Sequence, residues 1–129
     1  MKTTLLFVKK GLFVLLVSFA FTSNAQKATQ QEIDITNFQV IKDHNKISIK
    51  WATDSVSQTN YFEVEKSNDG KNFKTVAYVL GADPTQKDGD SFGCFDSITG
   101  KFKTFYYRLK HVNLNGNVQF SEVKMLALK

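Results

Sequence analysis

The chain has 129 residues, of which 42% are hydrophobic, with a formal net charge of +5. That is enough apolar material for one domain and too little length for two. Three of the 17 basic residues and none of the 12 acidic ones fall within residues 1–25, so the remaining 104 residues carry a balance of only +2, which excludes nucleic-acid binding as a leading function.

Residues 1–25 have the three-part layout of a secretory signal. Lys2, Lys9 and Lys10 form a basic stretch, residues 11–21 are apolar, and small residues at Ser23 and Ala25 predict cleavage after Ala25. The apolar run is too short for a permanent membrane anchor. An exported product, periplasmic or extracellular, is therefore expected. Cys94 is the single cysteine, so no intrachain disulfide can form even in an oxidising compartment. No cysteine follows the cleavage point, which argues against a lipid-anchored product, and the absence of any Asn-x-Ser/Thr sequon fits a bacterial source.

Residues 26–32 are polar without apolar period and read as a flexible leader. From residue 33 to the end the pattern alternates in twos. Ile33, Ile35, Phe38, Val40 and Ile41 predict a first strand with an irregularity near Asn37. Asp43, His44 and Asn45 supply turn chemistry. Ile47, Ile49 and Trp51 then point one way, and Lys46, Ser48 and Lys50 the other. Phe62 and Val64 alternate with Tyr61, Glu63 and Glu65, and Asp69-Gly70 signals a tight hairpin. Phe73, Val76, Tyr78 and Leu80 carry the returning strand. A long loop around Pro84 precedes a short strand containing Phe92 and Cys94, and Thr99-Gly100-Lys101 turns the chain. Phe105, Tyr107 and Leu109 alternate with Tyr106, Arg108 and Lys110 in the clearest strand of the sequence. Asn115-Gly116 signals another turn, and residues 118–128 form one final strand.

About seven short strands at even spacing, with no helical period after the signal, predict an all-β, two-sheet antiparallel sandwich over residues 33–129. Trp51, Phe62, Val64, Tyr107 and Leu109 are the expected core. The Tyr107 ring should be buried and its hydroxyl should need a partner.

Trp51 within Ile-Ser-Ile-Lys-Trp, and the Tyr106-Tyr107-Arg108-Leu109 strand, resemble the paired landmarks of fibronectin type III modules. Two longer stretches narrow the likeness: Tyr61-Phe62-Glu63-Val64-Glu65-Lys66-Ser67-Asn68-Asp69-Gly70-Lys71-Asn72-Phe73, and Phe105-Tyr106-Tyr107-Arg108-Leu109-Lys110-His111-Val112-Asn113. They are similar to the fibronectin-like module near the ends of many large secreted and surface proteins of bacteria with type IX secretion. The resemblance implies a fibronectin type III/immunoglobulin-like fold, a tyrosine corner at Tyr107, and a spacer or interaction role without chemistry of its own. It also makes the strands of Glu63 and Glu65 and of Arg108 and Lys110 neighbours, with the charges on one wet face supporting the register. In those large proteins a sorting domain follows the module. Here the sequence stops at Lys129 directly after the last predicted strand, so a free-standing copy is expected.

The inventory of chemistry is thin. Cys94 and His111 resemble a nucleophile and base in residue type, but the fold would place them in opposite sheets, leaving Cys94 an inert, half-buried thiol. His44 reads as a solvated turn residue without a second histidine nearby. Asp83, Asp88 and Asp90, with Gly89 among them, are the best hard-metal candidates, in a spacing that matches no calcium loop. There is no phosphate-cradling glycine loop, serine elbow or metalloprotease helix. An enzyme is therefore not expected, and neither is a cofactor.

Three functional classes remain. The first is a non-catalytic interaction or structural module of the cell envelope that meets a protein partner through the loops at 53–60 and 81–91. The second is a carbohydrate-binding module in which Tyr61 and Tyr106 stack on a glycan. The third is a small metal-dependent protein or enzyme built on the acidic loop and histidines.

Overall fold

The structure, a computed structural model, describes residues 32–54, 58–81 and 91–129. The predicted signal sequence and the leader up to residue 31 lie outside the described residues, as do positions 55–57 and the whole of 82–90 with Asp83, Asp88 and Asp90. The chain from Gln31 to Lys129 forms a compact unit. Among the described residues no helix is long and apolar enough to cross a membrane.

Eight strands are described: β1 (Ile35–Asp43), β2 (Lys46–Thr53), β3 (Thr59–Ser67), β4 (Lys74–Leu80), β5 (Ser91–Ser97), β6 (Thr104–Asn113), β7 (Val118–Phe120) and β8 (Lys124–Ala127). One antiparallel sheet has the order β1-β2-β5, and the other β4-β3-β6-β7, with β8 also paired to β6. This is the two-sheet fibronectin type III/immunoglobulin-like sandwich that the sequence predicts.

Strand β2 shows the physics most plainly. Ile47, Ile49 and Trp51 are buried, while Lys46, Ser48 and Lys50 face away from the core. In β1 the pairing with β2 shifts between Thr36 and Gln39, where Asn37 takes a φ of 53°. The bulge changes the inward phase from Ile33 and Ile35 to Phe38 and Val40, so both halves of an out-of-step apolar pattern reach the core.

Two elements differ from the sequence expectation. In β4 the residues packed on the core are Ala77 and Val79, whereas Val76, Tyr78 and Leu80 are exposed. A bulge opposite Val64 and Glu65 inserts one residue into β4 and so sets which phase faces inward. The single strand expected over 118–128 is broken into β7 and β8. Ser121 stays tied to β6 through its N–H, which donates to the Leu109 carbonyl at 2.9 Å, and its Oγ, which accepts from the Leu109 N–H at 2.8 Å. Its hydroxyl replaces a ladder carbonyl, and the eighth strand results.

The β3–β4 connection is a six-residue hairpin loop, longer than the tight turn expected from Asp69-Gly70. The Asp69 carboxylate accepts from the backbone N–H groups of Asn72 and Lys71, each at 2.8 Å, which hold its pKa well below the usual carboxylate range. Gly70 supplies the φ of 73° that the loop requires.

Between the sheets the core is aromatic. Trp51 stacks on Phe92 at 5.9 Å and 13°, and meets Phe62 of the facing sheet edge-on at 5.3 Å and 70°. Phe62, Val64, Tyr107 and Leu109 are fully buried around them.

Candidate interaction surface

Paired strands with alternating side chains divide the polar residues into those that pin the sheets together and those that cover the outer faces. The inward phase of β3 runs Phe62, Val64, Lys66, and that of β5 runs Phe92, Cys94, Asp96. Lys66 Nζ donates to Asp96 Oδ2 at 2.6 Å, joining the two sheets, and lies 4.3 Å from the Phe105 ring centre. The Tyr107 hydroxyl donates to the same Asp96 oxygen at 2.7 Å. Burial first, and then this bond to a carboxylate, push the Tyr107 phenol well above its ordinary pKa. The hydroxyl therefore finds its partner on the opposite sheet, where a tyrosine corner would bond its own backbone.

Cys94 and His111 do not form a catalytic pair. They belong to β5 and β6 in different sheets, and Cys94 lies beside Asp96 and Tyr107, four residues from His111 along β6, or roughly 13 Å at strand rise. Burial and the Asp96 charge push the Cys94 thiol up to about 11, the opposite of what an attacking thiolate needs. His111 shares a 3.1 Å hydrogen bond with Thr59 Oγ1 and packs on Phe62, and burial lowers its pKa. His44, with a φ of 56°, bonds Asp43 at 2.7 Å in the β1–β2 turn. No group of three or more metal-ligating side chains exists among the described residues.

On the outer face of the larger sheet, Glu63 stands directly opposite Lys110 and Glu65 opposite Arg108. The pairs close at 3.0 and 2.5 Å. This face is less wet than expected, since each glutamate is only 8% exposed. Thr75 donates to Glu63 at 2.7 Å, and the Arg108 guanidinium lies over both Phe73 and Phe120 at 4.2 and 4.3 Å. The charges are roofed over and fix the register of β3 on β6.

Beside this charged band runs an apolar row. Leu80 pairs with Tyr61, Tyr61 with Val112, and Val112 with Val118, so the row crosses β4, β3, β6 and β7, with Val112 buried at its middle. Leu80 is 76% exposed and Tyr78 69%. The Tyr61 and Tyr78 rings sit 6.1 Å apart at 57°. Sequence reasoning paired Tyr61 with Tyr106, but Tyr106 is opposite Ser67, six residues along β3 and roughly 20 Å away. Its ring instead packs by Gly70, where an added Cβ would come within 3.4 Å of it. Tyr78 was missed because the bulge that turns it outward leaves no mark in the alternation.

No family model matches this chain, and no curated protein does either. Solved structures do. Pectate lyase Pel3 from Pectobacterium carotovorum is 20% identical over 74% of this chain and 27% of its own, with a TM-score of 0.54. A DUF3823 family protein from Bacteroides ovatus is 15% identical over 75% of this chain and 54% of its own, with a TM-score of 0.56. A beta-1,2-glucanase from Parabacteroides distasonis is 19% identical over 76% of this chain and 13% of its own, with a TM-score of 0.55. The likeness is one of fold. This chain spans about half of the DUF3823 chain, 27% of the pectate lyase and 13% of the glucanase.

Proposed function

We propose that this protein is an exported, non-catalytic interaction module of the bacterial cell envelope that binds another protein through the outer face of its larger sheet. The observation that carries the reading is the apolar row of Leu80, Tyr61 and Val118, linked through the buried Val112 and flanked by Tyr78 and Phe120, on the outer face of the larger sheet. A rigid sheet with exposed aromatic and aliphatic anchors beside a neutralised charge band has the composition of a protein-binding patch. The inert thiol and the buried neutral histidine support a role without covalent chemistry. The solved structures in which a similar domain is a fraction of a larger chain support a modular one.

Export rests on the signal-like residues 1–25, and kinship with the type IX-associated module on the two sequence stretches quoted above. A flat glycan platform is disfavoured by the 57° tilt between Tyr61 and Tyr78, since pyranose stacking needs a ring face presented flat.

The test is crosslinked affinity capture from envelope fractions with the wild-type product and with Tyr78→Lys/Leu80→Lys. One specific protein should be recovered with the wild type and lost with the variant at unchanged melting temperature. Equal recovery with both would sink the outer-face reading. Intact mass should show the exported form beginning at Gln26.

A further inference from the structure

We propose that the turn end of the sandwich carries a second binding site, for a carboxylate-bearing polysaccharide. The reasoning is independent of the outer-face reading above. A groove of about 420 Å³ lies between the β1–β2 turn, the β5–β6 connection and the residues after β8, within the size range of small-ligand sites. Its rim holds Lys42, Lys101 and Lys103, and none of the three has an ion-pair partner among the described residues. The acid nearest in sequence, Asp43, is already engaged by His44 at 2.7 Å.

Phe102 stands among these cations, 56% exposed, and borders a second groove of about 670 Å³ lined by Lys74 and Asp69 and by the Lys66–Asp96 pair, so the net positive charge is confined to the first groove. Gly100, at a φ of 85°, lies beside the ring. A Cβ there would sit 3.8 Å from it, so a longer side chain would cover the flank that glycine leaves open.

Unpaired like charges around one open aromatic ring suit a particular ligand. A uronic-acid residue presents a C–H face to the ring and a carboxylate at its edge. A chain of such residues meets several lysines at once, whereas a single small anion meets one or two, each interaction being weak in water. A protein ligand would need a broad apolar anchor, and this groove offers one ring.

The test is affinity electrophoresis of residues 26–129, which contain the complete sandwich and its core, in gels carrying alginate, neutral dextran or poly-L-glutamate. Alginate should retard the wild type and dextran should not. Raising salt from 0.15 to 1 M shortens the screening length from about 8 to about 3 Å and should release the protein. Lys101→Glu/Lys103→Glu should weaken binding at least tenfold, Lys42→Glu should do so from a separate strand, and Phe102→Ala should weaken it about fivefold, all at unchanged melting temperature. Retardation by poly-L-glutamate equal to that by alginate would reassign the groove to acidic protein. Indifference to the charge reversals, or to Phe102→Ala, would overturn the site.

Discussion

Trp51 joins the sheets through ring contacts alone. Its indole N–H has no hydrogen-bond partner among the described residues, although the residue is only 2% exposed. Two substitutions should therefore diverge. Trp51→Ala leaves a large cavity and should cost about 3–5 kcal/mol, while Trp51→Phe keeps the stack on Phe92 and removes an unsatisfied donor, and should cost less than about 2. Urea titration of both variants checks the ordering. The buried ionisable groups predict pH dependence. Burial holds His111 below its ordinary 6.5, so unfolding takes up a proton there; its contribution is full above 6.5 and is lost as pH falls through the folded value. The hydrogen bond from Thr75, and then the one from Lys110, lowers Glu63 below 4.5, so its contribution is full above 4.5 and lost further down. Stability should fall in two steps on acidification. His111→Gln should flatten the upper step and Glu63→Gln the lower, read from melting temperature against pH.

At the scale of the element, the bulges decide which residues meet the core. The β3–β4 hairpin depends on one close approach at its far end. Gly81 donates its N–H to the Asn60 carbonyl at 2.8 Å, and an added Cβ would come within 2.1 Å of the Thr59 carbonyl oxygen. Backbone must move to admit it. Gly81→Ala should cost on the order of 2 kcal/mol, or about 10 °C in Tm for a domain of this size, with faster amide exchange at the Asn60 end of β3. A Tm within 2 °C of wild type would show that the chain after Leu80 adapts freely.

For the whole molecule, the tie between the sheets is polar as well as aromatic. Asp96 takes hydrogen bonds from both Lys66 and Tyr107 across the interior, and the Lys66 and Asp96 side chains are only 13% and 17% exposed. Removing it strands a largely buried cation and a phenol together. Asp96→Ala should therefore cost about 3 kcal/mol, and the Asp96→Ala/Lys66→Met double variant should recover part of that, since the pair matters less than the orphan. If the single variant costs no more than an exposed pair, less than about 1 kcal/mol, the sheets are held by the aromatic core alone. Because one core serves both sheets, Trp51 fluorescence and far-ultraviolet dichroism should report a single coincident transition in every variant.

Alternation of apolar and polar residues determined by itself that this chain builds a two-layer antiparallel sandwich, because a period of two leaves one face of each strand to bury. The same pattern placed Phe62, Val64, Tyr107 and Leu109 on one side, and Glu63 and Glu65 on the other. It also held an unread sign of the inter-sheet tie: opposite charges, Lys66 and Asp96, at the inward phase of two strands. Only the tertiary structure decided which face of β4 is open, since a bulge changes phase without altering composition. The apolar row on the larger sheet and the lysine groove at the turn end were likewise decided there. Each joins segments far apart in the chain, such as Lys42 with residues 101–103 or Leu80 with Val118, which become neighbours only through strand pairing and the meeting of turns at one end of the sandwich.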